Sequence, residues 1–484
     1  MRNRLACLLL ASVPLIAQTG TAVVKGTIQD ATSAVIPGAK VALTNAATNV
    51  KRAGESSNLG LYYLPSLPPG NYTLSVEAAG FRKWNGTLVL QVGETAIIDP
   101  KLEVGSVDTV VEVAGATPVI VLEGAAIGDV KDALRIQQLP LNGRSITNLF
   151  NLTAGVEGGG NPRINGLKVG SVEMLLDGVS MVDRFGGGIN RVQPGLDTIQ
   201  EFRIETTGSS AQYSRPATVE LVTKSGTNQL HGSAFETHRN NYGGLRARAR
   251  QDTNTSAKLI RNEFGAAAGG PVILPKLYDG RNKTFWFAAY EGNRQRELTF
   301  DRDTVPTPDF WRGDFSQIID NNNRRTTIYD PLTTAANGTR TPFSGNIIPQ
   351  SRIHPFFGTV EKITHLPTSS VNPFQGSNMD EFYPSVNNTY STSVKIDHRF
   401  SDKDSIAGRF TRSSRYNSQT GGRFGSPKKE STNGFGSGRG ETPIYSFAIR
   451  QTHIFTPNFF HDLDRKSTRL NSSHSAKSRM PSSA

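Results

Sequence analysis

The chain has 484 residues, with 53 Lys and Arg against 41 Asp and Glu, a formal charge of +12, and a single Cys. That length exceeds one ordinary core and implies several domains, while 48 Gly and 26 Pro, 36% hydrophobic residues and no three-residue or seven-residue repeat exclude collagen and coiled coil. The positive total invites nucleic acid, but Arg2 and Arg4 open the chain and Arg465, Lys466, Arg469, Lys477 and Arg479 crowd its acid-free end, which leaves +5 for the long middle.

Residues 1–17 read as a secretory signal: Arg2 and Arg4 form the basic region, Leu5 to Ile16 the apolar core, and Ala17 the small residue at a cleavage point. The apolar run is about a dozen residues, short of the roughly 20 that span a bilayer as a helix. Cys7 lies inside this signal, so the expected mature chain has no Cys and no disulfide or thiol chemistry. No later segment is long and apolar enough for a transmembrane helix. Export without a helical anchor leaves periplasm, outer membrane or medium.

Residues 21–104 show short alternating runs broken by turns. Val24, Gly26 and Ile28 precede a Pro37-Gly38 turn; Val41 and Leu43, then Tyr62 and Leu64, precede Pro68-Pro69-Gly70; Tyr72, Leu74 and Val76 follow. This patterning predicts a small β-sandwich. Gly26-Thr27-Ile28-Gln29-Asp30, Ile36-Pro37-Gly38-Ala39-Lys40-Val41, Gly60-Leu61-Tyr62, Pro69-Gly70-Asn71-Tyr72-Thr73-Leu74 and Ala79-Gly80-Phe81 resemble the carboxypeptidase regulatory-like domain. The resemblance implies a transthyretin-like, seven-stranded sandwich that carries no peptidase residues. Ala34 stands where that family usually has Gly.

Residues 106–228 mix strands with a helix predicted over Asp129 to Gln138, where Val130, Leu134 and Gln138 recur at helical spacing before a Leu139-Pro140 stop. Leu175 to Val179 reads as a strand entering a tight Asp177-Gly178 turn. Leu139-Pro140-Leu141-Asn142-Gly143-Arg144, Ile164-Asn165-Gly166, Leu176-Asp177-Gly178-Val179, Ile199-Gln200-Glu201-Phe202 and Val222-Thr223-Lys224-Ser225-Gly226-Thr227-Asn228 resemble the plug of TonB-dependent outer-membrane receptors. The order of motifs behind a regulatory-like sandwich is similar to the Oar-like group, although Arg215-Pro216-Ala217-Thr218-Val219 replaces a Gly run common there.

Residues 229–464 carry amphipathic alternation. In Tyr445 to Phe455 one parity holds Tyr445, Phe447, Ile449, Gln451, His453 and Phe455, and the other Ser446, Ala448, Arg450, Thr452 and Ile454. A transmembrane barrel strand needs this pattern, although a soluble antiparallel sheet has it too. Val394, Ile396, His398 and Phe400 repeat it before a Ser401-Asp402-Lys403-Asp404 turn and a return strand through Ile406, Gly408 and Phe410. Phe285-Trp286-Phe287 and Tyr290 are candidates for an interfacial aromatic girdle. Arg261-Asn262-Glu263-Phe264-Gly265, Gly270-Pro271 and Tyr290-Glu291-Gly292 match what the receptor family shows near its first barrel strands. The stretch from Pro306 to Pro384 reads as an extracellular loop. The fold class expected is therefore mainly β: sandwich, α+β plug, and the first strands of an incomplete transmembrane antiparallel β-barrel. About six to eight strands fit, so the expectation is the N-terminal part of a longer receptor, with residues 465–484 a disordered or non-native tail.

Catalytic, metal and cofactor constellations are not recognisable. His231, His238, His354 and His365 lack partners at ligand spacing, Gly158-Gly159-Gly160 lacks the Lys-Ser/Thr of a phosphate loop, and Arg246, Arg248 and Arg250 read as a polar lumen or loop face rather than a nucleic-acid patch. One segment suggests mechanism. Asp108-Thr109-Val110-Val111-Glu112-Val113, between sandwich and plug, resembles a TonB box, and an extended β-branched peptide can add to a sheet edge of TonB. The alternative for this segment is the first plug strand. The expected function is TonB-driven uptake of an oligosaccharide or other large solute across the outer membrane, without enzyme activity. The competing reading is a surface adhesin or structural protein whose sandwich binds carbohydrate or protein.

Overall fold

The computed structural model describes residues 20–105, 110–113, 127–139, 141–158, 162–182, 193–208, 213, 215–241, 258–362, 364–419, 438–456 and 459–470. The expected signal at 1–17, Arg246, Arg248 and Arg250 lie outside the described residues, as do Asp108 and Thr109.

The first unit comprises β1 (Ala22–Thr27), β2 (Gln29–Asp30), β3 (Lys40–Asn45), β4 (Lys51–Glu55), β5 (Leu61–Leu67), β6 (Gly70–Glu77), β7 (Lys83–Leu90), β8 (Thr95–Ile97) and β9 (Lys101–Leu102). One sheet has the order β5-β1-β8; the other has β7-β6-β3-β4, and a short β2-β9 pair closes one end. Alternation does the folding here: Val41, Leu43, Leu74, Val76 and Leu90 point between the sheets, at 0–1% exposure. The two sheets thus hold seven of these nine strands, and β10 (Val110–Val113) pairs in parallel with β7 along the outer edge.

The second unit is built on β11 (Ile127–Asp132), α1 (Ala133–Gln138), β12 (Val156–Glu157), β13 (Arg163–Ile164), β14 (Val172–Leu176), β15 (Val179–Ser180), β16 (Ile199–Thr207) and β17 (Ala217–Thr223). Its five-stranded sheet runs β11-β16-β17-β14-β15. Residues 129–132 are strand rather than helix. Val130 pairs across to Arg203, and Asp132, whose side chain accepts the Arg135 N–H at 2.8 Å, caps a helix that starts only at Ala133. Asp177 and Gly178 both have positive φ, 46° and 77°, which makes the β14–β15 hairpin turn type I′. Phe150, Phe202, Ile199, Ile204 and Leu176 fill the core, with Phe150 and Phe202 edge to face at 5.6 Å.

The third unit is one antiparallel meander of β18 (His231–Asn240), β19 (Leu259–Pro271), β22 (Thr284–Asp303), β23 (Met379–Ser401), β24 (Asp404–Gln419), β25 (Gly438–Thr456) and β26 (Phe459–Leu470), with a small hairpin of β20 (Ile273–Leu274) and β21 (Tyr278–Asp279) between β19 and β22. Among the described residues β18 and β26 pair on one side only, so the sheet is an arc and not a closed barrel. Strand β26 continues through Leu470, into the stretch read from sequence as tail; backbone pairing with β25 needs no apolar alternation. Between β22 and β23 the long loop is folded, with α2 (Pro308–Trp311), α3 (Phe356–Glu361) and several single 3-10 turns.

This sheet is inside out. Ser393, Thr411, Ser446 and Thr452 are buried at 0–4% exposure, while Val394, Ile396, Phe410, Phe447 and Phe455 lie on the opposite parity at 37–50%. A soluble sheet places such rows the other way round; a wall with lipid outside requires this one. The aromatic girdle is narrower than expected, because period-2 geometry turns Phe285 and Phe287 inward, to 3% and 2% exposure, leaving Tyr290 and Trp286 on the outer parity. Among the described residues no helix is long and apolar enough to cross a membrane. Ile396 lies on the outer face five residues before the 401–404 turn. Ile396→Arg is therefore expected to cost about 2–4 kcal/mol of membrane stability, seen as a smaller fraction with heat-modifiable gel mobility; Ser393→Ala on the inner face should leave that fraction nearly unchanged.

Candidate functional site

The plug sheet packs against the inner face of the wall, and the sequence motifs are the places where it is fastened. Asn142 Oδ1 accepts hydrogen bonds from Arg239 Nη1 at 3.1 Å and Arg261 Nη2 at 2.6 Å, and Arg261 pairs with Glu263 at 3.1 Å. Two residues on, Arg144 reaches Asp197 at 3.2 Å and Glu291 at 3.7 Å, and its guanidinium lies 3.8 Å from the centroid of the Phe235 ring. The Asp197 N–H donates to Glu291 Oε1 at 2.8 Å, so wall strand β22 holds both the loop before β16 and the Arg144 loop.

A second fastening uses the type I′ turn. Arg409 of β24, 2% exposed at its side chain, pairs with Asp177 at 2.7 Å and donates through Nη2 to the Leu176 carbonyl at 3.2 Å. Asp177 also accepts the Thr223 N–H at 2.9 Å and hydroxyl at 2.7 Å, while Lys395 Nζ donates to the Thr223 carbonyl at 3.1 Å. Burial alone would push the Asp177 carboxyl up; facing Lys395 and Arg409, with the Thr223 bonds, it lies below its ordinary value instead. Past β17, a Cβ at Gly226 would collide with the carbonyls of Trp286 and Gly270, so the chain crosses against the wall where only Gly has room. Asn228 then exchanges two hydrogen bonds with Asn282, at 2.7 and 2.8 Å.

The sandwich is seated at the short-turn end of this assembly. Asn228 N–H donates to the Ala47 carbonyl at 3.1 Å, and Arg52 Nη2 donates to Ser405 Oγ at 2.9 Å beside the 401–404 turn. Val92 meets the plug strand β16, where its N–H donates to Glu201 Oε2 at 2.6 Å. Burial chiefly, with the nearby Asp132 and Glu94 carboxylates adding to it, pushes Glu201 up to about 7 against the opposing effects of the Val92 N–H and Arg203.

Of the segment singled out from sequence, Val110, Val111, Glu112 and Val113 form β10, opposite Lys83 to Gly86 of the sandwich rather than on the plug sheet. Sequence reasoning missed this strand pairing and the Val92 contact, since both join residues far apart in the chain. No group of three metal-ligating side chains occurs among the described residues. His238 instead hydrogen-bonds Asn262 at 2.7 Å and His231 lies 3.0 Å from the Gln229 carbonyl.

Inside-out wall, fastened plug and appended sandwich together define an outer-membrane β-barrel architecture. Residues 222–483 match the family model described as an outer membrane beta barrel domain, and residues 23–103 match the carboxypeptidase regulatory-like domain. The chain belongs to the outer-membrane β-barrel family, and its place is the outer membrane. The TonB-dependent transporter Oar of Myxococcus xanthus is 29% identical over 283 residues, which is 54% of this chain and 26% of that protein; the match thus spans about a quarter of the relative's length. A mutant ferric enterobactin receptor from Pseudomonas aeruginosa, in complex with enterobactin, shares 13% identity over 72% of this chain and 41% of its own, with a TM-score of 0.38. Catechol 1,2-dioxygenase of Acinetobacter radioresistens overlaps 18% of this chain and 53% of its own, at 14% identity and a TM-score of 0.16. Similarities this low in TM-score carry no argument.

Two outcomes follow from the contacts. Asp177→Ala leaves Arg409 buried without its carboxylate and is expected to cost about 3–5 kcal/mol, whereas Asp177→Ala with Arg409→Met should recover much of that; urea unfolding of the membrane-embedded chain distinguishes them. Because the folded state holds the Glu201 proton above the ordinary carboxylate value, its contribution to stability is present at low pH and lost as pH rises from about 4.5 through about 7. Glu201→Gln should remove that slope, by about 3 kcal/mol across the window, in thermal midpoints measured against pH.

Proposed function

We propose that this chain acts as a TonB-dependent outer-membrane receptor, importing a solute too large or scarce for porin diffusion, such as an oligosaccharide. The observation that carries the reading is the plug sheet held against a polar inner wall by ion pairs and hydrogen bonds. Contacts of this kind exchange readily with water, so the plug can shift without exposing a large apolar face. The Oar relative is named a TonB-dependent transporter, which supports the same reading.

In this reading TonB recognises Asp108-Thr109-Val110-Val111-Glu112-Val113. Strand β10 is an edge of its sheet, paired to β7 on one side only among the described residues, and so offers backbone groups to a further strand. The domains act in series: a sandwich over 21–104, a plug over 106–228, and wall strands from 229 that surround the path. The chemistry is binding and gating rather than catalysis. The sandwich contacts the Asp402–Ser405 turn, at the opposite end of the wall from the 304–378 loop, and this argues against a surface adhesin built on that domain.

The test is disulfide trapping of Val111→Cys with a cysteine-bearing periplasmic domain of TonB, using native outer-membrane vesicles. Trapping is expected at position 111 and should drop at least tenfold with Val110→Pro, which removes a backbone donor. Equal trapping at an outward wall position such as Ile396→Cys would sink the assignment.

A further inference from the structure

A pull on β10 has two ways to the plug, along the chain that follows it and through the sandwich it is paired to. Along the chain, thirteen residues separate Val113 from Ile127, a span of up to about 45 Å when drawn out. Across the sandwich the path is short. Four residues of β10 pair with Lys83 to Gly86 of β7, and β7 ends at Leu90, two residues before Val92.

At Val92 both backbone groups are taken by plug side chains. The N–H donates to Glu201 Oε2 at 2.6 Å, and the carbonyl accepts from Arg203 Nη1 at 2.6 Å. Glu201 and Arg203 are two apart on β16, so one face of that strand grips the backbone of one residue on both sides of its Cα. The Arg203 bond is charge-assisted, and Val92 is fully buried between the units. Gly93, at φ 66°, makes the approach possible: a Cβ there would stand 2.8 Å from Arg203 Nη1. Arg52 on Ser405 and the Ala47 carbonyl under Asn228 hold the sandwich to the wall at separate points.

We propose that the sandwich is a force coupler: tension on residues 108–113 enters it through the β10–β7 ladder and along the chain from Gly105, whose N–H donates to the Gly80 carbonyl, and passes through the Val92 clasp to plug strand β16. This rests on the reading of residues 108–113 as the segment that TonB pulls. A parallel ladder pulled along its axis is loaded in shear, so its bonds share the load rather than opening one by one. Strand β16 is the recipient best placed to move the plug, because it lies between β11 and β17 in the central sheet. Glu201 and Arg203 are thereby positioning residues for the pull, in addition to their packing role.

The experiment is single-molecule force spectroscopy on the full chain in native outer-membrane vesicles, with the handle attached at Thr109→Cys. In the parent chain the first rupture should displace the plug without prior lengthening. In Glu201→Ala with Arg203→Ala, and in Gly93→Val, which leaves every plug residue in place, lengthening of at most about 45 Å should come first. Glu201→Gln keeps an acceptor for the Val92 N–H and should give the parent trace. Lengthening ahead of plug displacement in the parent chain, or identical traces throughout, overturns the coupler. Heat-modifiable mobility confirms that each variant is folded. TonB trapping at Val111→Cys, run in parallel, is expected to be the same in all clasp variants; its loss in the parent counts against the TonB reading alone, since the handle needs no TonB.

Discussion

A strand in hydrocarbon can satisfy its backbone only on neighbouring strands, and its outward side chains must be apolar, which leaves the inward row free to be polar. Ser393, Thr411, Ser446 and Thr452 are that row here, together with Glu263, Glu291, Lys395 and Arg409. Such a surface is covered by something that can answer its charges, and the plug does so with Asn142, Arg144, Asp177 and Asp197. The plug's own hydrophobic core sits within its sheet, with Ile444 from the wall as its apolar link to the outside. Cohesion within the plug is therefore mainly apolar, and adhesion between plug and wall mainly polar. These respond differently to force and water.

Much of this was legible in the chain because the local rules are strong. Alternation marked the sandwich strands and the turn end of the β23–β24 hairpin, whose strands reach back to Met379, inside the stretch read as loop, and on to Gln419, and Asp177-Gly178 announced its turn through the need for positive φ. The plug motifs were visible as motifs, but their purpose was not: Asn142 and Arg144 are explained by residues 53 to 147 positions away. Where periodicity competed with pairing it misled. Residues 129–132 have helical spacing in sequence, yet an open edge of β16 and the Asp132 cap settle them as strand. The aromatic cluster at 285–287 failed for a simpler reason, since adjacent residues of a strand cannot share a face.

The position of the sandwich was the least legible feature. Val92 offers no unusual side chain; what matters is its backbone N–H and carbonyl, clasped by Glu201 and Arg203. Backbone contacts of this kind leave little trace in composition or spacing beyond Gly93, which allows the close approach. The pairing of β10 with β7 is similarly silent, because β-branched residues suit any strand edge. Both contacts change how the junction of sandwich and plug is understood: the two units are joined side by side at Val92 as well as along the chain.

The wall strands β22 and β23 carry a different consequence. They have 20 and 23 residues, about twice the 9–11 that cross a bilayer. At roughly 3.4 Å per residue and a tilt near 45°, the surplus rises on the order of 20 Å beyond the hydrocarbon on the side away from the sandwich. The two strands stay paired to Asp303 and Met379, so the folded 304–378 loop stands on a stiff two-stranded mast rather than on a tether. A solute approaching from outside would meet this raised platform first, well above the lipid surface, and the mast's rigidity fixes the platform's position relative to the wall below.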